Sequence, residues 1–428
     1  MSIIYDLIAL VFTAVLFPVY LFKGKFHRGF LARLGVLPKG LNLERPIWIH
    51  AVSLGEAISI RMLVEGLRKV YPAKKFVIST VTPTGNKIAK DLAREGDLAT
   101  YLPLDFSFIV RSVVKRINPE IFIIAETELW PNLISRLYKN NIPVIIVNGR
   151  ISDGSFKNYS GAKFFIKPIL NKISLFCVQA EPDAARLKYL GAPSDKVRVT
   201  GNMKFDQFFS LQPGGYKEKL GLSFNDKLFI AGSTHPGEEE VIFRAYKELL
   251  NKIPELKLLI APRHTQRSAD LLKLASVFGF RGIAVSKFGL DKARSSDNTV
   301  FILDTVGELV KVYAAADIVF IGGSFIKKGG HNILEPAACG KPVIFGPHMF
   351  NFRDITGLFL KNNAAIMVKS EADLAVAAEE LLKNNSKAVQ LVNNAKKVIA
   401  ENQGATARNI EEIKVIYGNI RAGGRMNV

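Results

Sequence analysis

The chain has 428 residues, of which 48% are hydrophobic and 22% are charged, so its composition is globular and excludes a largely disordered protein. Because this length exceeds the roughly 150 residues typical of one domain, we expect two domains with separate cores. Lys and Arg outnumber Asp and Glu by 58 to 38, and the net charge of +20 favours an anionic partner: nucleic acid, an acidic membrane or a phosphorylated substrate.

The first predicted element is an apolar run at residues 3–22, IIYDLIALVFTAVLFPVYLF, which as a helix is long enough to cross a hydrocarbon core of about 30 Å. Asp6 lies near one end, where its carboxylate would reach the lipid headgroups. Basic residues follow with no acid before Glu44, which predicts a retained membrane anchor at residues 1–24 and a cytoplasmic location for the rest. The basic segment would also bind anionic lipid headgroups. A helix lying in the membrane interface and an unusually apolar buried helix remain alternatives.

From residue 46 onward, short apolar runs rich in β-branched residues alternate with helical stretches. Seven runs precede residue 207 and seven follow residue 226, which is the pattern of parallel strands covered on both faces. The sequence therefore predicts an α/β protein with two doubly wound lobes, residues 25–207 and 227–428, joined by a linker at 208–226 that contains Pro-Gly-Gly. Ligands of such sheets bind beyond the carboxyl ends of the strands, so the cleft between two facing lobes is the predicted site.

Glycine-containing turns follow several strands of the second lobe: GST before HPGEEE, GGS at 322–324, and GGHNILEPAACGKPVIFGP at 329–347. Glycines let backbone amides approach an anion, and a helix that starts just afterwards adds its positive end. These turns are therefore candidates for a phosphate cradle. At each of them an ordinary tight turn between strand and helix remains an alternative.

Three polar residues near these turns are candidates for nucleotide binding. Asn332 and Glu335 lie three apart at a predicted helix start, where a carboxylate can accept both hydroxyls of a ribose, although the pattern is also typical of helix capping. Arg263 ends the strand LLIAPRH and is placed to bind a phosphate or a base edge. An ordinary surface arginine would fit the same position.

In the first lobe, three charged residues follow predicted strands. Glu56 comes after the strand PIWIHAV and a Ser-Leu-Gly turn, where a carboxylate can take a proton from an attacking hydroxyl. Glu126 ends IFIIAE, and Lys204 ends VRVTGNMK. Taken singly, Glu56 would equally complement a helix dipole, and the other two are typical of solvated strand ends. Three such ends converging on one cleft favour a catalytic site.

The sequence contains no sign of a metal site. No two aspartates are two apart, so the Asp-X-Asp motif of one class of sugar transferases is absent, and the six histidines show no metal-ligand spacing. The sequence predicts a mechanism without metal or other cofactor, in which Lys, Arg and helix dipoles neutralise a leaving phosphate.

Taken in order, these stretches resemble the Kdo transferases, which attach 3-deoxy-manno-octulosonic acid (Kdo) to the lipid A precursor in lipopolysaccharide assembly. The resemblance covers most of the chain. It is carried by the N-terminal apolar run followed by RLG at 33–35, and by HAVSLGE, STVTPTG, AETELWPN, NGRIS, GNMKFD, GSTHPGEE, APRH, DTVGEL and GGSFIKKGGHNILEPAACGKPVIFGPHMFNF. It implies a GT-B fold, two facing Rossmann-like lobes, and metal-independent transfer of Kdo from CMP-Kdo with inversion.

Carried over by position, the resemblance implies Glu56 as the base and Glu126 and Lys204 as stabilisers of the transition state. It implies CMP contacts at Pro262, Arg263, Val306, Gly307, Glu308, Asn332, Ile333, Leu334 and Glu335. Val306 stands where Met is usual and Ile333 where Pro is common, and both departures keep an apolar residue, so they bear on local packing more than on chemistry.

The implied acceptor is the lipid A precursor lipid IVA, a phosphorylated diglucosamine lipid. Its phosphates agree with the net positive charge of the chain, and its location implies an enzyme at the cytoplasmic face of the inner membrane, attached through its N-terminal segment.

Three other functions are compatible with parts of the sequence. A nucleotide-sugar epimerase would share the two lobes but needs no membrane anchor. A membrane-tethered nucleic-acid-binding protein would explain the positive charge, but the sequence contains no recognisable binding module, so no nucleic-acid partner is expected. A noncatalytic lipid-binding scaffold would not depend on Glu56.

Overall fold

A computed structural model describes residues 5–6, 10, 29–207, 215–287 and 298–421. The chain divides into two compact units, Met1–Gln207 with Asn402–Val428, and Phe208–Glu401. The predicted anchor at residues 1–24 lies almost entirely outside the described residues. Within the described ranges, no helix combines the length and the apolar character needed to cross a bilayer.

The first unit contains a seven-stranded parallel sheet in the order β3-β2-β1-β4-β5-β6-β7. Its strands are β1 Ile47–His50, β2 Phe76–Thr80, β3 Leu98–Tyr101, β4 Ile121–Ala125, β5 Val144–Gly149, β6 Leu175–Val178 and β7 Val197–Val199. Its α-helices are Phe30–Arg33, Leu54–Ser59, Arg61–Val70, Pro83–Leu92, Ser107–Ile117, Pro131–Lys139, Asp153–Gly161, Lys163–Leu170, Glu181–Leu190 and Ala405–Arg421, and its 3₁₀ turns are Ser194–Lys196 and Met203–Asp206.

The second unit contains another seven-stranded parallel sheet, in the order β10-β11-β9-β8-β12-β13-β14. Its strands are β8 Lys227–Thr234, β9 Leu256–Pro262, β10 Arg281–Ala284, β11 Thr299–Ile302, β12 Ile318–Ile321, β13 Val343–Phe345 and β14 Ile366–Met367. Its α-helices are Tyr216–Lys219, Glu239–Leu250, Ser268–Val277, Leu309–Tyr313, Leu334–Ala338, Arg353–Lys361, Glu371–Lys383 and Asn385–Asn402, and its 3₁₀ turns are Thr265–Arg267, Val285–Lys287 and Phe350–Phe352.

The predicted α/β class with two doubly wound sheets is confirmed, and the strands lie at the predicted apolar runs. Successive side chains of a strand point to opposite faces, so a strand covered on both faces must be apolar at nearly every position. In β1, Trp48 packs into one core, whereas Ile47 and Ile49 pack into the core on the other face.

The C-terminal helix Ala405–Arg421 packs on the first unit. Its Ile413 and Tyr417 are buried in the same core as Ile47. Asp206 fixes the start of this helix, because its carboxylate accepts the Gly404 N–H at 2.7 Å and the Thr406 N–H at 2.5 Å. The predicted second lobe, 227–428, included this helix. The helix instead lies on the first unit, because its apolar side completes the cover of the first sheet.

The predicted linker, 208–226, is only partly a connector. Residues 208–214 lie outside the described residues, but from residue 215 the chain packs into the second unit. Tyr216 and Leu220 are buried, and Lys217 Nζ lies 2.9 Å from Asp317 Oδ2. The second unit therefore starts before the predicted residue 227.

Asp6 is one of the few described residues of the N-terminal segment, and it contacts the first unit. Its Oδ1 accepts hydrogen bonds from the Ser107 N–H at 3.2 Å and from Asn132 Nδ2 at 2.7 Å. Both partners lie in the first turn of a helix, where a carboxylate is favoured by the helix dipole. The sequence-based expectation that this carboxylate would reach lipid headgroups is therefore replaced by a contact within the protein.

Each sheet has a point where the strand order reverses. In the first unit β1 lies between β2 and β4, and in the second unit β8 lies between β9 and β12. Connections on the two sides of such a point run to opposite faces of the sheet and leave a crevice at the carboxyl ends of the strands. The crevices between β1 and β4 and between β8 and β12 are therefore where ligands of each unit are expected.

Candidate active site

Glu56 lies just beyond β1, in the first turn of the helix Leu54–Ser59, as predicted. Ser53 is the N-cap residue: its Oγ accepts the Glu56 N–H at 3.4 Å and its hydroxyl donates to Glu56 Oε1 at 2.9 Å. The Val52 N–H donates to Glu56 Oε2 at 2.7 Å. The carboxylate is therefore held over its own turn with both oxygens hydrogen-bonded.

The environment of Glu56 differs from that of a carboxylate that only complements a helix dipole. Burial raises the pKa of Glu56 to about 7, and the negative charge of Glu126 acts in the same direction, against the hydrogen bonds from Val52 and Ser53. A helix N-terminus alone would lower the pKa of a carboxyl group. A pKa near neutral pH is the value suited to a general base.

Glu126 directly follows β4 and has a left-handed backbone with φ of 58°, which residues other than glycine rarely adopt. Such strained positions cluster at functional sites. Lys204 Nζ lies 3.2 Å from Glu126 Oε1. The structure thus brings Glu56, Glu126 and Lys204 together in the first unit, at the crevice between β1 and β4.

The prediction that Lys204 ends a strand was wrong. The strand β7 stops at Val199, and Lys204 lies in the 3₁₀ turn Met203–Asp206. Side-chain amides hold this turn in place. The Met203 N–H donates to Asn148 Oδ1 at 2.9 Å, and the Lys204 N–H donates to Asn202 Oδ1 at 3.0 Å.

A network of three amides supports this arrangement, and the sequence analysis missed it. Gln179 Nε2 donates to the main-chain carbonyl of Asn148 at 3.0 Å, and Asn202 Nδ2 donates to Gln179 Oε1 at 2.9 Å. The network joins the ends of β5 and β6 to the turn that carries Lys204. The available signal was that Asn148 and Gln179 each stand at the end of a predicted strand run.

In the second unit, the structure brings together two of the candidate nucleotide-binding residues, Arg263 and Glu335. Pro262 ends β9, and the Arg263 N–H donates to the Thr234 carbonyl at 2.9 Å. Burial raises the pKa of Glu335 to about 7, while a hydrogen bond from Asn332 and the charge of Arg263 oppose the increase. A guanidinium and a buried carboxyl group are thus neighbours near the carboxyl ends of the strands.

The segment from Asn332 to Glu335 also shows the predicted capping alternative. Asn332 Oδ1 accepts the Leu334 N–H at 3.1 Å, and Asn332 Nδ2 donates to Glu335 Oε1 at 3.3 Å. The side chains of Ile333 and Leu334 are fully buried. Of the four residues of this segment, only Asn332 and Glu335 are partly exposed.

Val306, Gly307 and Glu308 lie at the start of the helix Leu309–Tyr313, which packs against the helix Leu334–Ala338. Val306 is 83% exposed, and Gly307 has a φ of 87°. A hydrogen bond from the Thr305 hydroxyl lowers the pKa of Glu308. Within the residues that the structure describes, no hydrogen bond or ion pair joins these three to Arg263 or Glu335.

Two histidines that the sequence analysis missed lie at the crevice between β8 and β12. His235 follows β8, His331 follows the loop after β12, and their Nε2 atoms are 2.9 Å apart. Burial lowers the pKa of His235 to about 4 and that of His331 to about 3, and neighbouring positive groups, including Arg263, act in the same direction. Their separation of 96 residues in the chain gave no local spacing to detect.

Glu238 joins the two loops that carry these histidines. Its Oε1 accepts the His235 N–H at 2.8 Å and the Gly323 N–H at 2.6 Å. Burial raises the pKa of Glu238 to about 7.

The described parts of the chain contain no group of three or more His, Cys, Asp and Glu side chains that could hold a metal ion. Cationic side chains, by contrast, are present in both crevices, as Lys204 and Arg263. Independence from metal and other cofactors stays a prediction.

Comparisons with known families and proteins identify relatives along most of the chain. A family model described as 3-Deoxy-D-manno-octulosonic-acid transferase (kdotransferase) matches residues 28–207, and one described as Glycosyl transferases group 1 matches residues 286–398. The chain is 38% identical over 375 residues to a 3-deoxy-D-manno-octulosonic acid transferase of Haemophilus influenzae, with 86% of each chain covered. It is 34% identical over 382 residues to the corresponding transferase of Rickettsia typhi, with 87% of this chain and 81% of that one covered.

Among solved structures, a putative UDP-N-acetylglucosamine 2-epimerase from Listeria monocytogenes matches with a TM-score of 0.62 and 12% identity, covering 88% of this chain and 97% of that chain. At this identity the likeness shows the fold alone, which is GT-B-like.

Proposed function

The chain belongs to the family of 3-deoxy-D-manno-octulosonic acid (Kdo) transferases, so it is a glycosyltransferase that acts on Kdo in lipopolysaccharide biosynthesis, and we propose that it transfers Kdo from CMP-Kdo to a lipid A precursor with inversion and without a metal ion. The observation that carries the proposal is the Glu56 carboxyl group, with its pKa raised to about 7, near the ion pair of Glu126 and Lys204. This arrangement provides a base and a cation at the crevice between β1 and β4.

In the proposed reaction, Glu56 takes the proton of an acceptor hydroxyl while the oxygen attacks the anomeric carbon of Kdo. The new carbon–oxygen bond forms as the bond between that carbon and the phosphate oxygen breaks, and CMP leaves with the electron pair of the broken bond. A single displacement of this kind inverts the anomeric configuration. Glu56 ends the step protonated and returns the proton to water.

Protein cations neutralise the charge that develops in this step. Lys204 is the proposed cation of the first unit, and Glu126 keeps its ammonium group in place in the free protein. In the second unit, the proposed CMP contacts are Arg263 for an anion, Glu335 for the ribose hydroxyls, and the rest of the segment 332–335 at the start of the helix Leu334–Ala338. Pro262 and the segment 306–308 complete this set.

The proposed acceptor is lipid IVA, and the proposed location is the cytoplasmic face of the inner membrane. The net charge of +20 and the basic residues that follow the apolar run at 3–22 support both parts, because they complement a phosphorylated lipid and an anionic leaflet. Attachment through the N-terminal segment belongs to the same proposal.

The test is to incubate the purified full-length protein with CMP-Kdo and a tetra-acylated lipid A precursor in the presence of a chelator, and to determine the product masses. We expect the lipid to gain the mass of Kdo as CMP is released, with inverted configuration at the new linkage by NMR. Transfer that requires added divalent cations would overturn metal independence. Consumption of CMP-Kdo without a gain in lipid mass would overturn the proposed acceptor.

A further inference from the structure

His235 and His331 meet end to end. Their Nε2 atoms are 2.9 Å apart, their ring planes differ by 6°, and their ring centroids are 5.2 Å apart. The centroid separation exceeds the distance between the Nε2 atoms by about one ring diameter, so the two rings lie in line and nearly in one plane. This is the geometry of a hydrogen bond between the two Nε2 atoms and differs from face-to-face stacking.

The hydrogen bond determines what the remaining ring nitrogens can do. In the neutral pair one Nε2 donates and the other accepts, so one Nδ1 carries a proton and the other a lone pair. An additional proton would add to that lone pair and leave the shared hydrogen bond intact. The pair would then carry a positive charge and present two Nδ1 donors. Neither Nδ1 atom hydrogen bonds to another of the residues that the structure describes.

Burial and nearby basic side chains keep the pair neutral in the free protein. The basic side chains that act on His235 are Arg263, His264, Arg267 and Lys328. Of these, Arg263 and His264 also act on His331. They come from the loop after β9 and the loop after β12. With burial, they lower the pKa of His235 to about 4 and that of His331 to about 3. An anion bound among these groups would offset their charge and favour uptake of an additional proton by the pair.

Two acidic groups also lie at this edge of the sheet. Glu238 accepts the His235 N–H, and Glu335 lies beside Arg263. Burial raises the pKa of each to about 7, so both are alternative acceptors of a proton drawn in by an anion. The experiment must therefore separate the histidines from these carboxyl groups.

We propose that the His235–His331 pair takes up one proton when the phosphodiester of the nucleotide-sugar donor binds, and that the resulting imidazolium donates to the phosphate oxygens together with Arg263. This inference rests on the proposed function, because it assigns the pair to donor binding. As a consequence, the affinity for the donor depends on pH through groups of the second unit, independently of the general base in the first unit.

The test uses cytidine 5′-methyl phosphate, a phosphodiester that has no exchangeable phosphate proton near neutral pH. Its binding to the full-length protein is measured by isothermal titration calorimetry in two buffers of different ionisation enthalpy. We expect net uptake that approaches one proton per ligand, and affinity that rises by up to about tenfold per unit decrease in pH. Absence of any binding would contradict the proposed function. Binding without proton uptake would overturn only the present inference.

A double variant, His235→Gln with His331→Gln, keeps side chains that can hydrogen bond to each other but removes both titratable groups. We expect ligand binding to persist without proton uptake, whereas the control His264→Gln should keep the uptake. Uptake that persists in the double variant would assign the proton to a carboxyl group and overturn the proposal. Should the double variant fail to fold, ¹⁵N NMR of the histidine-labelled wild-type protein provides the same decision, because Nδ1 protonation on ligand binding shifts the ring nitrogen signals.

Discussion

Lys204 Nζ lies 3.2 Å from Oε1 of Glu126, a residue 78 positions earlier in the chain. The charge of the same Glu126 also contributes to the raised pKa of Glu56. Glu126 is therefore coupled to both the proposed base and the proposed cation of the first unit. Substitutions at these three positions should have distinct effects on rate, pH dependence and stability.

Replacing Glu56 with Gln should reduce kcat by about 10² to 10⁴, the usual contribution of a general base. The amide keeps a carbonyl oxygen for one of the two hydrogen bonds from Val52 and Ser53, so the fold should persist. Binding of CMP should be unchanged, because its proposed contacts lie in the second unit. The matched control is Glu65→Gln, at an exposed position of the helix Arg61–Val70. Near-normal turnover of the Glu56 variant would remove this residue from the role of base.

The rate of transfer should rise with pH and level off above about 7. Glu56 acts in its deprotonated form, and its pKa is raised to about 7 by burial and by the charge of Glu126. Glu126→Gln removes that charge, so the midpoint of the kcat/KM profile should move to lower pH even though the maximal rate falls. The exposed Glu181→Gln variant should leave the midpoint in place. A midpoint that stays at the same pH in Glu126→Gln would mean that another group controls the profile.

Glycine at position 126 should give a more stable protein than alanine at the same position. Both substitutions remove the ion pair with Lys204, but only glycine adopts the φ of 58° without strain. We expect a difference in unfolding free energy of about 1 kcal/mol in favour of Glu126→Gly, measured by urea denaturation of the two variants. Both variants should be impaired in transfer. Equal stabilities would argue against a left-handed backbone at this residue in solution.

Lys204→Ala should slow transfer by about 10², because a cation that stabilises developing charge is lost. The effect should appear in kcat, with the KM for CMP-Kdo little changed. Steady-state kinetics with varied donor concentration separate the two parameters. Lys188→Ala, at an exposed position of the helix Glu181–Leu190, is the control. Kinetics like those of the control would place Lys204 outside the reaction.

Asp206→Asn should loosen the C-terminal helix. The carboxylate accepts two N–H groups, from Gly404 and Thr406, whereas the single oxygen of an amide can serve only one of them well. A loss of about 1–2 kcal/mol is expected, and it should appear as faster hydrogen exchange of residues 405–421. The control is Asp195→Asn, at an exposed position. Unchanged exchange in the Asp206 variant would show that apolar packing alone holds the helix.

The elements that the sequence predicted best are those with a local signal. The parallel strands were found because each is a short, continuous apolar run, as in Ile121–Ala125, and the positions of Glu56 and Glu126 follow from where two of these runs end. The strand assigned to Lys204 was too long, because the apolar pattern does not show that pairing with β6 stops at Val199.

Features that depend on contacts between distant segments were not predictable in this way. His235 and His331 are 96 residues apart, and Asp206 and Thr406 are 200 apart. Such pairs leave no periodicity or characteristic spacing in the sequence. They form only when distant loops meet at one edge of a sheet, or when the helix Ala405–Arg421 packs on the first unit.

The position of the C-terminal helix has a consequence for biosynthesis. The ribosome releases residues 405–421 only after the whole second unit has been translated, so the nascent first unit exposes the surface that Ile413 and Tyr417 later cover. Exposed apolar surface on an incomplete chain recruits chaperones and promotes aggregation. A messenger truncated just before codon 405 would thus yield a polypeptide that contains every proposed active-site residue yet is prone to misassembly.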